Sequence, residues 1–148
     1  MYTYEYPRPA LTADIVLFSP DSTQVLLIRR GHEPFKDRWA FPGGFFDMTD
    51  RDIEHTATRE LEEETGLKGI ALEECFVASR EGRDPRGRTV SVIFSARVDP
   101  SQVNAHGGDD AAEARWFPID QLPPLAFDHD EVLARLLKEQ KRTASSYL

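Results

Sequence analysis

Apolar residues fall along this chain in two rhythms. Short β-branched and leucine-rich runs, Ala13 to Phe18 and Gln24 to Arg30, flank the turn-forming stretch Ser19-Pro20-Asp21-Ser22-Thr23, which predicts two strands joined as a hairpin. Trp39 to Gly44 reads as a brief extended piece ending in a Gly-Gly pair that permits unusual backbone angles. From Ile53 the rhythm changes: Ile53, Ala57 and Leu61 recur every four residues, with Thr49, Asp50 and Asp52 available as N-caps and Gly66 as the stop. That predicts a helix. Ile70 to Ser79 and Thr89 to Val98 read as strands around the charged tip Glu81 to Arg88, and Asp99 to Asp110 as a polar loop. Ala114 to Phe117 gives a last short strand. A turn marked by Pro118, Pro123 and Pro124 follows, and then a terminal helix capped by Asp128 with Leu133, Leu136 and Leu137 as its inner stripe. Strands interleaved with two helices predict an α/β layered domain with a mixed sheet.

Composition narrows the setting. A chain of 148 residues, 40% of them hydrophobic and with its ten prolines dispersed, is expected to form a single domain over residues 1–148. Its apolar runs fall far short of the roughly 20 residues that span a bilayer. The N-terminus has no basic region followed by an apolar stretch, so no signal peptide is expected and the cytoplasm is the default location. The lone Cys75 agrees with a reducing compartment and reads as a buried small hydrophobe. A net charge of −8 argues against a general nucleic-acid binder, which holds phosphates with an excess of Lys and Arg.

The acidic residues crowd one place. At about 100° per residue, Glu60, Glu63 and Glu64 share one helix face while Glu62 points elsewhere. Like charges at these spacings repel, and carboxylates in a last turn oppose the helix dipole, so local stability would avoid the pattern. A hard divalent cation with oxygen ligands removes the repulsion, and Mg2+ is the natural candidate. The competing interpretation is an ordinary solvated acidic face. Arg59, four residues before Glu63, is spaced to hold that carboxylate by a charge-assisted hydrogen bond, and Gly43-Gly44 upstream lets backbone approach a ligand.

Gly44 followed by Arg59-Glu60-Leu61-x-Glu63-Glu64-x-Gly66-Leu67 resembles the Nudix box of the Nudix hydrolases. The resemblance implies an α/β/α sandwich with a mixed sheet, a loop-helix-loop catalytic box, and Mg2+- or Mn2+-dependent cleavage of nucleoside diphosphates linked to another moiety. It assigns Glu60, Glu63 and Glu64 as metal ligands, offers a backbone carbonyl near Gly44, and makes Arg59 the residue that orients a glutamate. Water is then activated by one of the three glutamates or by a loop carboxylate, for which Glu113, Asp109 and Asp110 compete. The family pattern expects a glutamate six residues after the glycine and eight before the arginine. Here Asp50 meets the first spacing and Arg51 the second, as if one residue were inserted, and Asp50 is left to cap the helix or to pair with Arg59.

The substrate has to be read elsewhere. Arg83, Arg86 and Arg88 sit at the predicted hairpin tip, where forked guanidinium groups would grip phosphate or ribose unless the tip is a plain solvated turn. This stretch, Leu122 to His129 and Tyr6 to Ala10 are similar to segments of Nudix ADP-ribose pyrophosphatases, which implies cleavage of ADP-ribose to AMP and ribose 5-phosphate. Arg30 is a candidate for phosphate. Phe45, Phe46, Phe127 and the N-terminal tyrosines are candidates for stacking on adenine, with a core role as the competing interpretation. His129 is assigned to a helix N-terminus rather than to a metal. The Asp50 to Glu60 spacing also resembles coenzyme A pyrophosphatases, and an oxidised nucleoside triphosphate is a further alternative. A different class is a module that senses ADP-ribose without cleaving it. Such regulators carry a DNA-binding extension and a damaged box, whereas this sequence stops soon after its terminal helix and keeps all three glutamates. The resemblance also allows a homodimer with an exchanged N-terminal strand.

Overall fold

The computed structural model describes residues 3–102 and 111–146. Its strands are β1 (Ala10–Phe18), β2 (Gln24–Arg30), β3 (Trp39–Ala40), β4 (Gly43–Phe45), β5 (Glu73–Ala78), β6 (Thr89–Arg97) and β7 (Ala111–Pro118), with helices α1 (Ile53–Thr65) and α2 (His129–Ser146). The order β3-β2-β1-β6-β5 forms one sheet, with β4 pairing β1 and β7 pairing β2. β1 and β6 run parallel from Ala10↔Thr89 to Phe18↔Arg97, and the other named pairs are antiparallel. The sheet is mixed, as the sequence predicts.

Alternation along β1 sorts the core into two layers. Ala13, Ile15 and Leu17 join Leu26, Phe94 and the α1 residues Ala57 and Leu61 in one cluster. Val16 and Phe18 join Val25, Leu27, Ile93 and the α2 residues Val132, Leu133 and Leu136 in the other. Successive side chains on a strand point to opposite faces, so a continuous apolar run means both faces are covered. The result is the α/β/α sandwich.

The structure adjusts several expectations. β1 begins at Ala10 rather than Ala13, because the parallel partner β6 satisfies its extra backbone groups. β1 and β2 form the expected antiparallel connection, but their register is held at Phe18↔Val25 only; most of β2 pairs with β7, and β1 with β4. β5 is shorter than predicted and β7 longer. Leu137 is partly buried at the edge of the stripe, where Val132 joins Leu133 and Leu136. Cys75 is half-buried, its Sγ 3.0 Å from Ser95 Oγ. No helix among the described residues is long and apolar enough to cross a membrane.

Local caps fix both ends of α1. Asp52 is the N-cap, accepting from His55 N at 2.8 Å, and Gly66 closes the helix at φ 80° in the left-handed region that glycine enters without strain. Asp128, predicted to cap α2, stands just before it, but both its carboxylate oxygens accept from Arg83, at 2.9 and 2.8 Å.

Candidate active site

The apolar stripe of α1 runs through Ala57 and Leu61, and the next position on that stripe is Glu64. Its carboxylate is carried to the edge of the core, where Oε1 accepts from Gly43 N at 3.1 Å. Burial, reinforced by the neighbouring Glu60 carboxylate, raises the Glu64 carboxyl well above the usual range, and burial also raises Glu60. Glu63 lies further round and is more exposed. Glu62 is exposed and pairs with Lys68 at 3.5 Å, away from the site. Two adjacent carboxyls, one buried and one partly buried, that resist ionisation fit a cation, which supplies the missing counter-charge.

Gly43 and Gly44 in β4 make the approach possible. A Cβ at Gly44 would run into the Glu60 carboxyl group, and one at Gly43 into Asp14 and the Ala13 carbonyl. Gly44→Ala is therefore expected to displace Glu60 and lower turnover by about 10–100-fold, the range for disturbed ligand positioning, with a normal circular-dichroism spectrum. A wild-type kcat in that variant would show that Glu60 needs no such room.

Arg59 organises the helix carboxylates. Its Nη1 donates to Glu60 Oε1 at 2.8 Å and to Glu63 Oε2 at 3.2 Å, and its Nη2 to the Phe45 carbonyl at 3.2 Å. Its other donors form a fork on Asp50, Nε to Oδ1 at 2.8 Å and Nη2 to Oδ2 at 2.9 Å. Asp50 also accepts from Thr56 Oγ1 and Asp47 N, and the hydrogen bonds from Arg59 hold its carboxyl well below the ordinary range. Of the two roles open to Asp50, pairing with Arg59 is the one the structure takes, and Asp52 does the capping. Asp50→Asn is expected to lower stability by about 2 kcal/mol, the scale of a charge-assisted buried bond. Urea unfolding reads this directly; an unchanged midpoint would contradict it.

Among the described residues no three carboxylate, histidine or cysteine side chains already cluster as a metal cage. The Arg59 bonds account for this at Glu63, whose carboxylate is turned toward the guanidinium. The donor set still fits a hard cation: carboxylates only, Glu64 buried and Glu60 partly buried, beside a glycine pair.

These groups line one cavity of about 610 Å³ together with Arg30, Phe45, Arg83, Arg86, Phe127 and His129. Arg30 Nε donates to the Pro34 carbonyl at 2.8 Å, and its guanidinium lies 4.9 Å from the Phe127 ring centroid. Arg86 is held by Asp84 and lies over both Phe45, at 4.9 Å, and Phe127, at 5.5 Å. Phe127 adopts φ 54°, a left-handed conformation costing a bulky residue about 1–2 kcal/mol, and the edge contact with Phe35 and the bond from Ala126 N to the Trp39 carbonyl fix it there. The arginine tip is thus no plain solvated turn, but its members differ. Arg83 is buried and committed to Asp128 and Ser91, so it clamps the loop to the start of α2 instead of offering a free fork.

Glu113 is not brought to the cavity. It lies in β7 opposite Arg29 and pairs with Arg29 and Arg115, because strand register turns it to the outer surface. Asp109 and Asp110 lie outside the described residues. Sequence reasoning missed Asp14, which is buried in β1 and lines the cavity; a lone aspartate inside an apolar strand was the available signal. His129 starts α2 as expected. It accepts from Phe41 N through Nδ1 at 3.1 Å and stacks on the Phe41 ring.

Burial pushes the His129 imidazole down to about 3. The unfolded chain takes up a proton below its ordinary 6.5 while the folded chain refuses it until about 3, so this residue lowers stability as pH falls through that window. Asp14 acts in the opposite sense. Burial raises its carboxyl to about 7, so the folded state binds the extra proton and gains stability as pH falls from about 7 to 3.8. The overall profile is flatter than either alone. Comparing wild type with His129→Asn isolates the histidine: the variant should gain about 1.4 kcal/mol on wild type between pH 6 and pH 5 in urea unfolding. A constant difference would mean that His129 is not held neutral.

The fold and the site define a class: hydrolases that carry a carboxylate-bearing helix against a mixed sheet at the mouth of a polar cavity. The NUDIX domain profile matches residues 8–136, and the chain belongs to the NUDIX family. It is 38% identical over 128 residues to an ADP-ribose pyrophosphatase of Methanocaldococcus jannaschii, covering 86% of this chain and 73% of that protein. It is 35% identical over 149 residues to the ADPR responsive transcriptional repressor NtrR of Acinetobacter baylyi, covering 95% of this chain but only 59% of the repressor. Among solved structures, the NUDIX domain of Shewanella oneidensis NrtR complexed with ADP ribose superposes with a TM-score of 0.83 at 30% identity, covering 91% of this chain and 90% of that one.

Proposed function

We propose that this protein hydrolyses the diphosphate of ADP-ribose to AMP and ribose 5-phosphate with Mg2+, Mn2+ being an alternative ion. The observation that carries the proposal is the adjacent pair of carboxylates, buried Glu64 and partly buried Glu60, set against Gly43-Gly44 in a cavity that arginines and phenyl rings also line. Glu60, Glu63 and Glu64, with the carbonyl near Gly44, would hold the ion. When bound, the cation neutralises the diphosphate oxygens and lowers the pKa of a coordinated water. Arg59 keeps Glu60 and Glu63 oriented through its Nη1 donor. Arg30 and Arg86 supply positive charge, and Phe45 and Phe127 supply faces for adenine. In this reading a helix glutamate accepts the proton of the attacking water, and Glu113 does not line the cavity.

The two ADP-ribose-linked proteins support the substrate, one named as a pyrophosphatase and one solved with ADP ribose. Incubation with ADP-ribose and Mg2+, followed by anion-exchange chromatography, should release AMP, and EDTA should abolish it. The sensing reading is favoured by the relative named as an ADPR responsive transcriptional repressor. It would replace the proposal if ADP-ribose binds but no AMP appears with either Mg2+ or Mn2+. Cytoplasmic location and a homodimer belong to the same reading, the first supported by the single cysteine.

A further inference from the structure

On the cavity floor lies a buried polar cluster that the proposed chemistry leaves unused. Asp14, Thr12, Ser91, Arg83 and His129 are each less than a tenth exposed, and all line the cavity. Their hydrogen bonds form one network. Arg83 Nη1 donates to Ser91 Oγ at 2.6 Å, and Thr12 Oγ1 lies 2.5 Å from the same oxygen. Ser91 Oγ accepts from Arg83 and is also hydrogen-bonded to Asp14, while either hydroxyl can donate in the Thr12–Ser91 contact. Phe41 N donates to His129 Nδ1, so the neutral imidazole carries its proton on Nε2, which faces Asp14 Oδ2 at 3.7 Å. Ser91 and His129 therefore stand beside Asp14 on the protein side, and a carboxylate has room for about four hydrogen bonds. The capacity that remains opens into the cavity.

We infer that Asp14 and its hydroxyl neighbours form a subsite that reads the hydroxyl groups of a sugar esterified to the diphosphate. The site favours a sugar over a base because the side chains set against Asp14 are themselves small or polar. The His129 ring is already stacked on Phe41, 4.7 Å apart and tilted 17°, while Thr12 and Ser91 are small and polar. The candidate stacking rings border this floor, Phe45 opposite Thr12 and Phe127 with its centroid 5.5 Å from that of His129. It favours a neutral donor over a second cation because Arg83 and Arg30 both act on Asp14 as positive neighbours. The location suits a group joined directly to phosphate. Gly43, whose missing side chain leaves space for Asp14, also donates to Glu64, so the subsite adjoins the proposed metal-binding carboxylates.

This inference rests on the proposed substrate for its choice of probe. The test is calorimetric binding to the full chain in EDTA, where no turnover intervenes. The probes are ADP-ribose, ADP-ribose lacking the 2- and 3-hydroxyls of the terminal ribose, and ADP-ribose lacking those of the adenosine ribose. Asp14→Val should weaken ADP-ribose by about tenfold, the worth of a good hydrogen bond to a charged group. One of the two deoxygenated ligands should bind wild type about tenfold more weakly and change by less than about twofold on Asp14→Val; which one identifies the sugar read. Asp14→Asn keeps the volume and one acceptor, so it should show the same selectivity at about threefold and serves if the valine variant does not fold. Equal losses for all three ligands, or no loss for any, would overturn the inference. Failure of wild type to release AMP with Mg2+ would overturn the hydrolase proposal and leave this pattern standing.

Discussion

Glu64→Gln should reduce kcat on ADP-ribose by about 10²–10⁴-fold, the range for losing one group that stabilises charge in the transition state. The folded structure should not suffer, because a glutamine oxygen can still accept from Gly43 N, and a neutral amide carries no charge to be buried beside Glu60. In the absence of metal the variant should be at least as stable as wild type. The distinguishing readout is the melting temperature with added Mg2+. Wild type should gain stability with ion concentration by mass action, and the variant should gain far less. Full turnover in Glu64→Gln, or an undiminished Mg2+ shift, would remove Glu64 from the metal site.

Arg59→Lys should have the next largest effect and a different signature. A lysine cannot present the fork that binds both oxygens of Asp50 while also reaching Glu60, Glu63 and the Phe45 carbonyl. Asp50 would keep only part of its pairing in a side chain that is fully buried. A stability loss of about 2 kcal/mol is expected, together with a fall in kcat of about 10–100-fold as Glu60 and Glu63 lose orientation. KM should change less than kcat, since Arg59 acts through carboxylates. A variant with lowered stability and normal kcat would make Arg59 structural only.

Much of this was legible in the chain itself, for identifiable reasons. The four-residue apolar rhythm and Gly66 delimited α1, and the wheel placed Glu60, Glu63 and Glu64 together and Glu62 apart. The wheel also held an unread detail: Glu64 continues the stripe of Ala57 and Leu61, which is why it is the most buried of the three. The inserted residue before Arg59 looked like a defect in the box. Local geometry absorbs it, because the Asp47 to Asp52 turn brings Asp50 under Arg59 and leaves Asp52 as cap.

What the sequence could not show depends on long-range register. Glu113 has the right chemistry but sits on a strand whose pairing with β2 turns it outward to Arg29 and Arg115. Arg83 looked equivalent to Arg86. Only the meeting of the tip with the start of α2, 45 residues further on, commits it to Asp128. Asp14 was hidden among apolar neighbours because strand alternation alone does not say which face borders a cavity.

The most direct measurement is kcat/KM with Mg2+ over a panel of ADP-ribose, NADH, coenzyme A, diadenosine polyphosphates and 8-oxo-dGTP. ADP-ribose should rank first, with AMP and ribose 5-phosphate as products in equal amounts. A higher kcat/KM for any other member of the panel, or binding of ADP-ribose without its cleavage, would contradict the account.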